Sequence, residues 1–321
     1  MNRTRALVAA LLLIASAAAP AQDYPARPIR LVVAYAPGGA TDAFTRPVAQ
    51  RLGQLLGQQV IVDNRAGGNS IIGTDFVAKA APDGYTLLVN PASHLLIPFY
   101  NKSVPYDALK DFTPIVSAGM NRRCIVVNPS LPVNSVTELV DYAKRNPGKL
   151  SYAVAAAGSV QELAGDLLKV TAGIDIVPVP YKGGGPALND LLGGQVQMAI
   201  LVLADTLAHI RSGRLRALAI VEGGRAKVAP EIPTVAEAGI PGYAVPDQWI
   251  GVLGPAGLPP AIVARLNGEL NKALATPETR AALENIGYEV TGGSPQDFAA
   301  LMANDAKVYR RYADAVGIVP K

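Results

Sequence analysis

Between residues 29 and 100 the chain alternates short apolar runs with stretches of helical periodicity, and turns rich in glycine join them. The run Ile29 to Ala34 ends at Pro37-Gly38-Gly39, after which apolar residues recur at helical spacing up to Gly57. Two further strand-like runs, Val60 to Val62 and Thr86 to Val89, follow in the same order. Strands separated by helices of this length pair in parallel through right-handed crossovers. We therefore expect an open α/β sheet with helices on both faces.

A second unit of the same kind begins near Cys124, and the last third of the chain is largely helical. Helices that have no strands of their own usually pack on a sheet formed elsewhere, so we expect the C-terminal tail to return to the first unit. The chain then crosses between the lobes near residues 115–124 and 241–252, and two crossings at one edge form a hinge. The predicted architecture is a two-lobe α/β protein, with lobe 1 at 22–122 plus 246–321 and lobe 2 at 123–245.

The first 21 residues read as an export signal. Arg3 and Arg5 give a basic start, an apolar run follows, and Ala19-Pro20-Ala21 offers the small-x-small pattern after which signal peptidase cleaves. The apolar run is shorter than the roughly 20 residues that span a membrane, so we expect a mature chain that begins at Gln22. Removing two arginines reduces the 29 basic residues to 27, against 25 acidic residues. This balance argues against a nucleic-acid partner.

Three glycine turns follow predicted strands and lead into helices, at residues 37–42, 65–70 and 181–186. In open α/β sheets ligands bind beyond the carboxyl ends of the strands. Glycine lets backbone N–H groups approach a ligand closely, and the helix dipole favours an anion there. A carboxylate held between the lobes is the ligand that these turns predict. Glycine is also the commonest residue in turns between a strand and a helix. Each turn taken singly therefore fits a purely structural role as well.

Single polar residues near these turns have two interpretations. Asp42 is a candidate general base, but a residue of this type at a helix start more often accepts a backbone N–H, and we favour the cap. Pro47 predicts that the first turn is separate from the main helix. Ser93 and Ser159 each open a helix and can both cap it and donate to a ligand. Each of the candidate counter-charges also fits a solvated surface cation; they are Arg46, Arg65, Arg122, Arg123 and Lys182.

Searches for enzyme signatures find none. The sequence has no Gly-x-Ser-x-Gly elbow, no His-Glu-x-x-His and no phosphate loop. His94 and His209 lack metal-binding spacing, and the lone Cys124 cannot form an internal disulfide. We expect no metal, no cofactor and no catalysis. Two alternatives stay open: an enzyme that uses Asp42, Glu162 or Asp205 as a base on a small acid, and a ligand sensor for a membrane signalling partner.

Several ordered blocks resemble one family along nearly the whole mature chain. They include Ala36-Pro37-Gly38-Gly39-Ala40-Thr41-Asp42, Pro82-Asp83-Gly84-Tyr85-Thr86-Leu87, Lys110-Asp111-Phe112-Thr113-Pro114 and Tyr181-Lys182-Gly183-Gly184-Gly185-Pro186-Ala187. These blocks are similar to those of the Bug receptors, the substrate-binding proteins of tripartite tricarboxylate transporters. The resemblance implies a periplasmic, monomeric receptor of the type II binding-protein fold that closes on a small carboxylate and delivers it to transporter subunits in the membrane.

The resemblance also implies which residues face the ligand. In first-lobe loops the matching positions are Pro37, Gly38, Gly39, Thr41, Asp42, Gly68, Asn69, Ser70, Ser93 and His94. In the second lobe they are Ser159, Tyr181, Gly183 and Gly184. Where many members carry a Phe-Asp pair, this chain has Ile200-Leu201, so Leu201 replaces a polar contact. We expect a ligand with one well-held carboxylate and a less polar body, with Arg122 or Arg123 as extra cations.

Overall fold

The first sheet is built on three parallel strands at its centre and edge. The computed structural model describes residues 24–154, 159–181, 183–243 and 245–318. The expected signal segment, its cleavage after Ala21 and the candidate cation Lys182 lie outside the described residues. The strands are β1 (Ile29–Val33), β2 (Val60–Asn64), β3 (Thr86–Pro91), β4 (Phe112–Asn121), β5 (Arg123–Val127), β6 (Leu150–Val154), β7 (Ile176–Pro180), β8 (Met198–Val202), β9 (Arg216–Ile220), β10 (Gln248–Pro255) and β11 (Glu289–Val290).

Helices follow most of these strands. They are α1 (Ala40–Leu56), α2 (Ile71–Ala78), α3 (Ser93–Tyr100), α4 (Val136–Arg145), α5 (Val160–Ala172), α6 (Gly184–Leu192), α7 (Leu203–Arg211), α8 (Pro260–Ala275), α9 (Pro277–Asn285) and α10 (Pro295–Ala315). None of the described helices combines the length and the apolar character that crossing a bilayer requires.

The strands form two sheets. The first has the order β11-β4-β10-β3-β1-β2, and the second has the order β7-β6-β8-β5-β9. Strand β1 pairs in parallel with β2 and β3, which confirms the predicted open α/β sheet. We call the first sheet with α1–α3 and α8–α10 the first lobe, and the second sheet with α4–α7 the second lobe.

Helix α1 runs unbroken through Pro47, so the prediction of a separate first turn is wrong. A proline inside a helix costs about 3 kcal/mol. Phe44, Val48 and Leu52 lie on both sides of Pro47 and are almost fully buried in the first-lobe core. Each such side chain contributes roughly 1.5–3 kcal/mol on burial, so packing outweighs the lost hydrogen bond. The helix ends at Gly57, whose φ is 65°.

The segments expected to cross between the lobes are mostly paired strands. Strand β10 lies antiparallel between β3 and β4, with Gln248 opposite Asn121. Only Arg122 separates β4 from β5, and residues 246 and 247 separate the bridge at Val245 from β10. The chain therefore passes between the sheets at two short, neighbouring points.

An apolar seam also joins the lobes. Leu95 of α3, Leu163 of α5 and Tyr309 of α10 belong to one buried cluster. Trp249 of β10 lies in the same cluster, and its indole N–H donates to the Asp305 carboxylate at 3.0 Å. The lobes are thus in contact through side chains from three helices.

Candidate ligand-binding site

A cavity of about 270 Å³ lies between the lobes, a volume that suits a small organic solute. First-lobe residues that line it are Tyr35, Ala40, Thr41, Asn69, Pro91, Ser93, Ile97, Asn121, Gln248 and Tyr288. Second-lobe residues that line it are Arg123, Ser159, Val160, Gln161, Gly183, Gly184, Leu201, Val202 and Asp205.

The N-terminal ends of five described helices meet at this cavity. The lining includes the first residues of α1 and α3, the cap and first turn of α5, the start of α6, and the cap and first turn of α7. The first N–H groups of a helix have no partner inside the helix, and the macrodipole adds positive potential there. An arrangement of this kind favours an anion.

The first glycine turn leaves backbone amides open to the cavity. Gly39 is the cap residue of α1 and provides no side chain, and the first bond of the helix runs from Ala43 N–H to the Gly39 carbonyl. The amides of Ala40 and Thr41 precede that bond and therefore have no acceptor within the helix. Both residues line the cavity.

Asp42 supports this turn from behind rather than facing the cavity. Its carboxylate accepts the Gly38 N–H at 2.9 Å and the Arg46 guanidinium at 2.8 and 2.9 Å. Burial raises the pKa of Asp42, but the hydrogen bonds from Arg46 and the Gly38 amide outweigh it, and the pKa lies below its usual value. Asp42 accepts a backbone N–H, but it is the third residue of α1 and Gly39 is the cap, so the prediction that Asp42 caps the helix is wrong. Pro37, Gly38, Gly39 and Asp42 are not among the residues that line the cavity.

The second glycine turn uses its own carbonyls to bond the first amides of α2. Asn69 and Ser70 adopt positive φ values of 52° and 72°, which turns the loop carbonyls back on the start of α2. The Gly68 carbonyl accepts from Ile71 N–H at 3.1 Å, and the Gly67 carbonyl accepts from Ile72 N–H at 3.4 Å. Asn69 lines the cavity, whereas Gly68 and Ser70 do not. The two turns of the first lobe are therefore not equivalent.

Ser93 and His94 are neighbours at the start of α3, but only Ser93 lines the cavity. Ser93 is the first residue of α3, so the expectation that it caps this helix is wrong. Its hydroxyl lies 3.0 Å from the hydroxyl of Tyr35. Both residues line the cavity. His94 is fully buried, with Nε2 2.8 Å from the Ala108 carbonyl and its ring against Phe112. Burial lowers the pKa of His94 to about 4. The structure thus corrects the expected ligand contact of His94 to a core role.

Among the candidate site residues of the second lobe, some line the cavity and one does not. Ser159 caps α5 by accepting the Glu162 N–H at 3.3 Å, as predicted, and it lines the cavity with Gly183 and Gly184. Tyr181 does not line the cavity, and its hydroxyl donates to the Asp190 carboxylate at 2.7 Å. Leu201, at the end of β8, does line it.

Arg123 lies at the base of the cavity with its charge already paired. Its side chain is almost completely buried, and Nε donates to Glu222 at 2.9 Å. Nη1 donates to the Gln248 side chain at 2.6 Å, and Nη2 donates to the Pro246 carbonyl at 3.3 Å. The neighbouring Arg122 pairs with Asp247. These contacts fasten the two crossings to each other.

Sequence reasoning missed several lining residues. Asn121 and Gln248 end β4 and begin β10, two strands that were assigned to crossings. Tyr288 precedes the short strand β11, and Tyr35 follows β1. The available signal was only that Tyr35 lies two residues before the first glycine turn.

A cavity between two α/β lobes, walled by helix N-termini and hinged at two adjacent crossings, is the architecture of a solute receptor. Residues 44–318 match the family described as "Tripartite tricarboxylate transporter family receptor" (TctC). The chain belongs to this family of periplasmic binding proteins, and the resemblance inferred from the sequence blocks is confirmed.

Similar proteins support this assignment over almost the full chain. Protein BugT of Bordetella pertussis is 42% identical over 301 residues, which cover 92% of this chain and 90% of BugT. The structure "R. palustris Rpa4515 with adipate" has a TM-score of 0.85 and 36% identity, and covers 93% of this chain and 100% of that chain. The structure "MatC (Rpa3494) from Rhodopseudomonas palustris with bound malate" has a TM-score of 0.79 and 31% identity, and covers 91% and 100%.

Proposed function

We propose that this protein is a periplasmic receptor that captures a small carboxylate between its lobes and delivers it to a tripartite tricarboxylate-type transporter. The observation that carries the proposal is the open start of α1. The Ala40 and Thr41 amides have no acceptor within the helix and lie at a cavity to which four other helix starts contribute. The adipate and malate bound by similar receptors support a carboxylate as the ligand class.

The far side of the cavity favours a ligand whose body is less polar than malate. Leu201, Val160 and Ile97 all line the cavity, and Leu201 is 1% exposed. Apolar surface gains about 25 cal/mol per Å² when it leaves water, so a short aliphatic chain is held here without a polar partner. We therefore propose an acid with one anchored carboxylate and an aliphatic body.

Closure of the lobes is proposed to work as a rotation about the fastened crossings. The ion pair of Arg122 with Asp247 and the hydrogen bond from Arg123 to Gln248 hold the crossings side by side. Proposed lobe boundaries are 22–122 plus 246–321 for lobe 1 and 123–245 for lobe 2. A ligand shifts such an equilibrium only through its higher affinity for the closed state. The transporter can then distinguish the loaded receptor from the empty one.

Thermal unfolding with candidate ligands tests the proposal. The chain from Gln22, the proposed mature start, is heated with mono-, di- and tricarboxylates, amino acids, sugars and inorganic phosphate, each at roughly 1 mM. A ligand present at about 100 times its dissociation constant adds about 2.7 kcal/mol to the free energy of unfolding. We expect stabilisation by acids alone. Stabilisation by sugars or phosphate, together with no stabilisation by any acid, would contradict the proposal.

A further inference from the structure

Asp205 introduces a negative charge into a cavity that otherwise suits an anion. It is the only carboxylate among the described residues that line the cavity. The single cation among them, Arg123, already donates to Glu222 and to Gln248. Asp205 forms no hydrogen bond or ion pair with any side chain in the described part of the chain. No side chain of the described lining residues therefore pairs with its charge.

The position of Asp205 is set by packing between the lobes. It lies in the first turn of α7, two residues after Leu203, which is buried in the second-lobe core. Ala204 packs directly against Gly287 of the first lobe, where an added side-chain carbon would collide with it. A carbon added at Gly184 would lie 3.6 Å from Asp205 Oδ2, which places the carboxylate beside the start of α6. Asp205 thus lies where the two lobes and the cavity meet.

The surroundings of this carboxylate call for a donor. An ionised carboxylate can only accept hydrogen bonds, and the neighbouring lining residues Leu201 and Val202 present apolar side chains. Asp205 is an exposed residue at the cavity, and partial desolvation by the surrounding protein raises the pKa of its carboxyl group. A ligand that filled the cavity would desolvate it further. A group that carries positive charge and N–H donors offsets that cost.

We propose that Asp205 is a specificity-determining residue, which accepts hydrogen bonds from an ammonium group at the far end of the bound acid. The preferred ligands are then zwitterions, with a carboxylate at the start of α1, an aliphatic body along Leu201 and an ammonium group at Asp205. This inference rests on the proposed function, because it takes the carboxylate anchor as given. It assigns the site a ligand class different from the dicarboxylates bound by the similar receptors.

Matched triplets of acids test the assignment. Calorimetric titration compares hexanoate, adipate and 6-aminohexanoate, and then butanoate, succinate and 4-aminobutanoate, with wild type and with Asp205→Asn. In each triplet the chain length is constant and only the far end changes. We expect wild type to bind at least one ω-amino acid about tenfold or more tightly than its two partners. Asp205→Asn should reduce that preference to within about twofold.

Two controls separate the possible failures. Asp175→Asn removes the same charge from an exposed position of the second lobe and should leave all affinities unchanged. Thermal unfolding without ligand checks that Asp205→Asn still folds. A preference for adipate or succinate that Asp205→Asn abolishes would overturn the inference, because Asp205 would then act as a protonated donor. Equal binding within each triplet would also overturn it but leave the carboxylate receptor intact. No binding of any acid by either variant would count against the proposed function itself.

Discussion

The two walls of the cavity present different chemical groups to a ligand. The first-lobe wall around Ala40, Thr41 and Ser93 offers backbone amides and a hydroxyl group and carries no formal charge. The second-lobe wall combines the apolar side chain of Leu201 with the carboxylate of Asp205. Backbone amides recognise a carboxylate whatever is attached to it, whereas side chains recognise the attachment. We infer that the first wall provides affinity for acids in general and that the second wall selects among them.

A further contrast lies at the base of the second wall, where a buried ion pair holds the site together. Arg123→Met leaves Glu222 as an unpaired buried carboxylate, since both side chains are almost inaccessible to solvent. Removing one partner of such a pair costs about 3–5 kcal/mol. We expect a loss of that size in the free energy of unfolding, measured by urea denaturation.

The double variant Arg123→Met/Glu222→Met provides the control. Replacing both members of a buried pair with apolar residues is often neutral, so the double variant should recover most of the lost stability. A single variant that lost less than about 1 kcal/mol would show that the pair contributes little to holding the crossings together.

The first wall is tested by adding a charge at Gly39, the cap residue directly before the lining residues Ala40 and Thr41. Gly39 has a φ of −76°, and a carbon added there would meet only the Ala36 carbonyl, at 3.5 Å, so Gly39→Asp should fold. Two like charges about 4 Å apart repel by about 4 kcal/mol at an effective dielectric constant of 20. We expect the affinity for every carboxylate to fall by roughly a hundredfold or more.

The neutral variant Gly39→Asn has nearly the same shape and serves as the control. Its affinity should fall far less, because it adds no charge. Equal losses in the two variants would indicate a steric effect and would weaken the assignment of the anion to this turn.

His94 marks the boundary between the wall and the core behind it. The folded-state pKa of about 4 lies below the ordinary value of 6.5, so the unfolded chain binds an additional proton between these values. The resulting stability is present in full above pH 6.5 and is lost as the pH falls towards 4. It amounts to about 3 kcal/mol.

His94→Gln should therefore flatten the fall in the free energy of unfolding across this pH range, measured by urea denaturation at a series of pH values. At neutral pH the affinity of this variant for a bound acid should stay within about twofold of wild type. A large loss of affinity, with an unchanged pH profile of the free energy of unfolding, would show that His94 contacts the ligand and is not a core residue.

Local patterns located lining residues at the start of single helices, such as Thr41, Ser159 and Gly184, and missed those that strand pairing brings to the cavity, for a physical reason. The strand, glycine turn and helix around Gly39 follow one another along the chain, so their arrangement is fixed by neighbouring residues. Asn121 and Gln248 meet only because β10 pairs with β4, across more than a hundred residues. No periodicity of the sequence records such a pairing, and both residues were placed in crossings.

The second glycine turn shows a different limit. Its composition matches that of the first, and both precede helices, so the sequence predicts the same role for both. The positive φ values of Asn69 and Ser70 direct the Gly67 and Gly68 carbonyls at the amides of α2. Which amides stay open therefore depends on backbone angles that neither glycine content nor helical spacing determines.

The smallest expected change in ligand binding compares the two walls most directly. Leu201→Ala and Leu191→Ala each remove a side chain at most 1% exposed from the same second-lobe cluster, but only Leu201 lines the cavity. Both should lose about 2–5 kcal/mol of stability. Only Leu201→Ala should weaken hexanoate relative to malate, by about fourfold, since roughly one buried methylene contact of about 0.8 kcal/mol is lost. Calorimetric titration of both acids measures the ratio, and an equal shift in Leu191→Ala would trace selectivity to the packing of the lobe rather than to its wall.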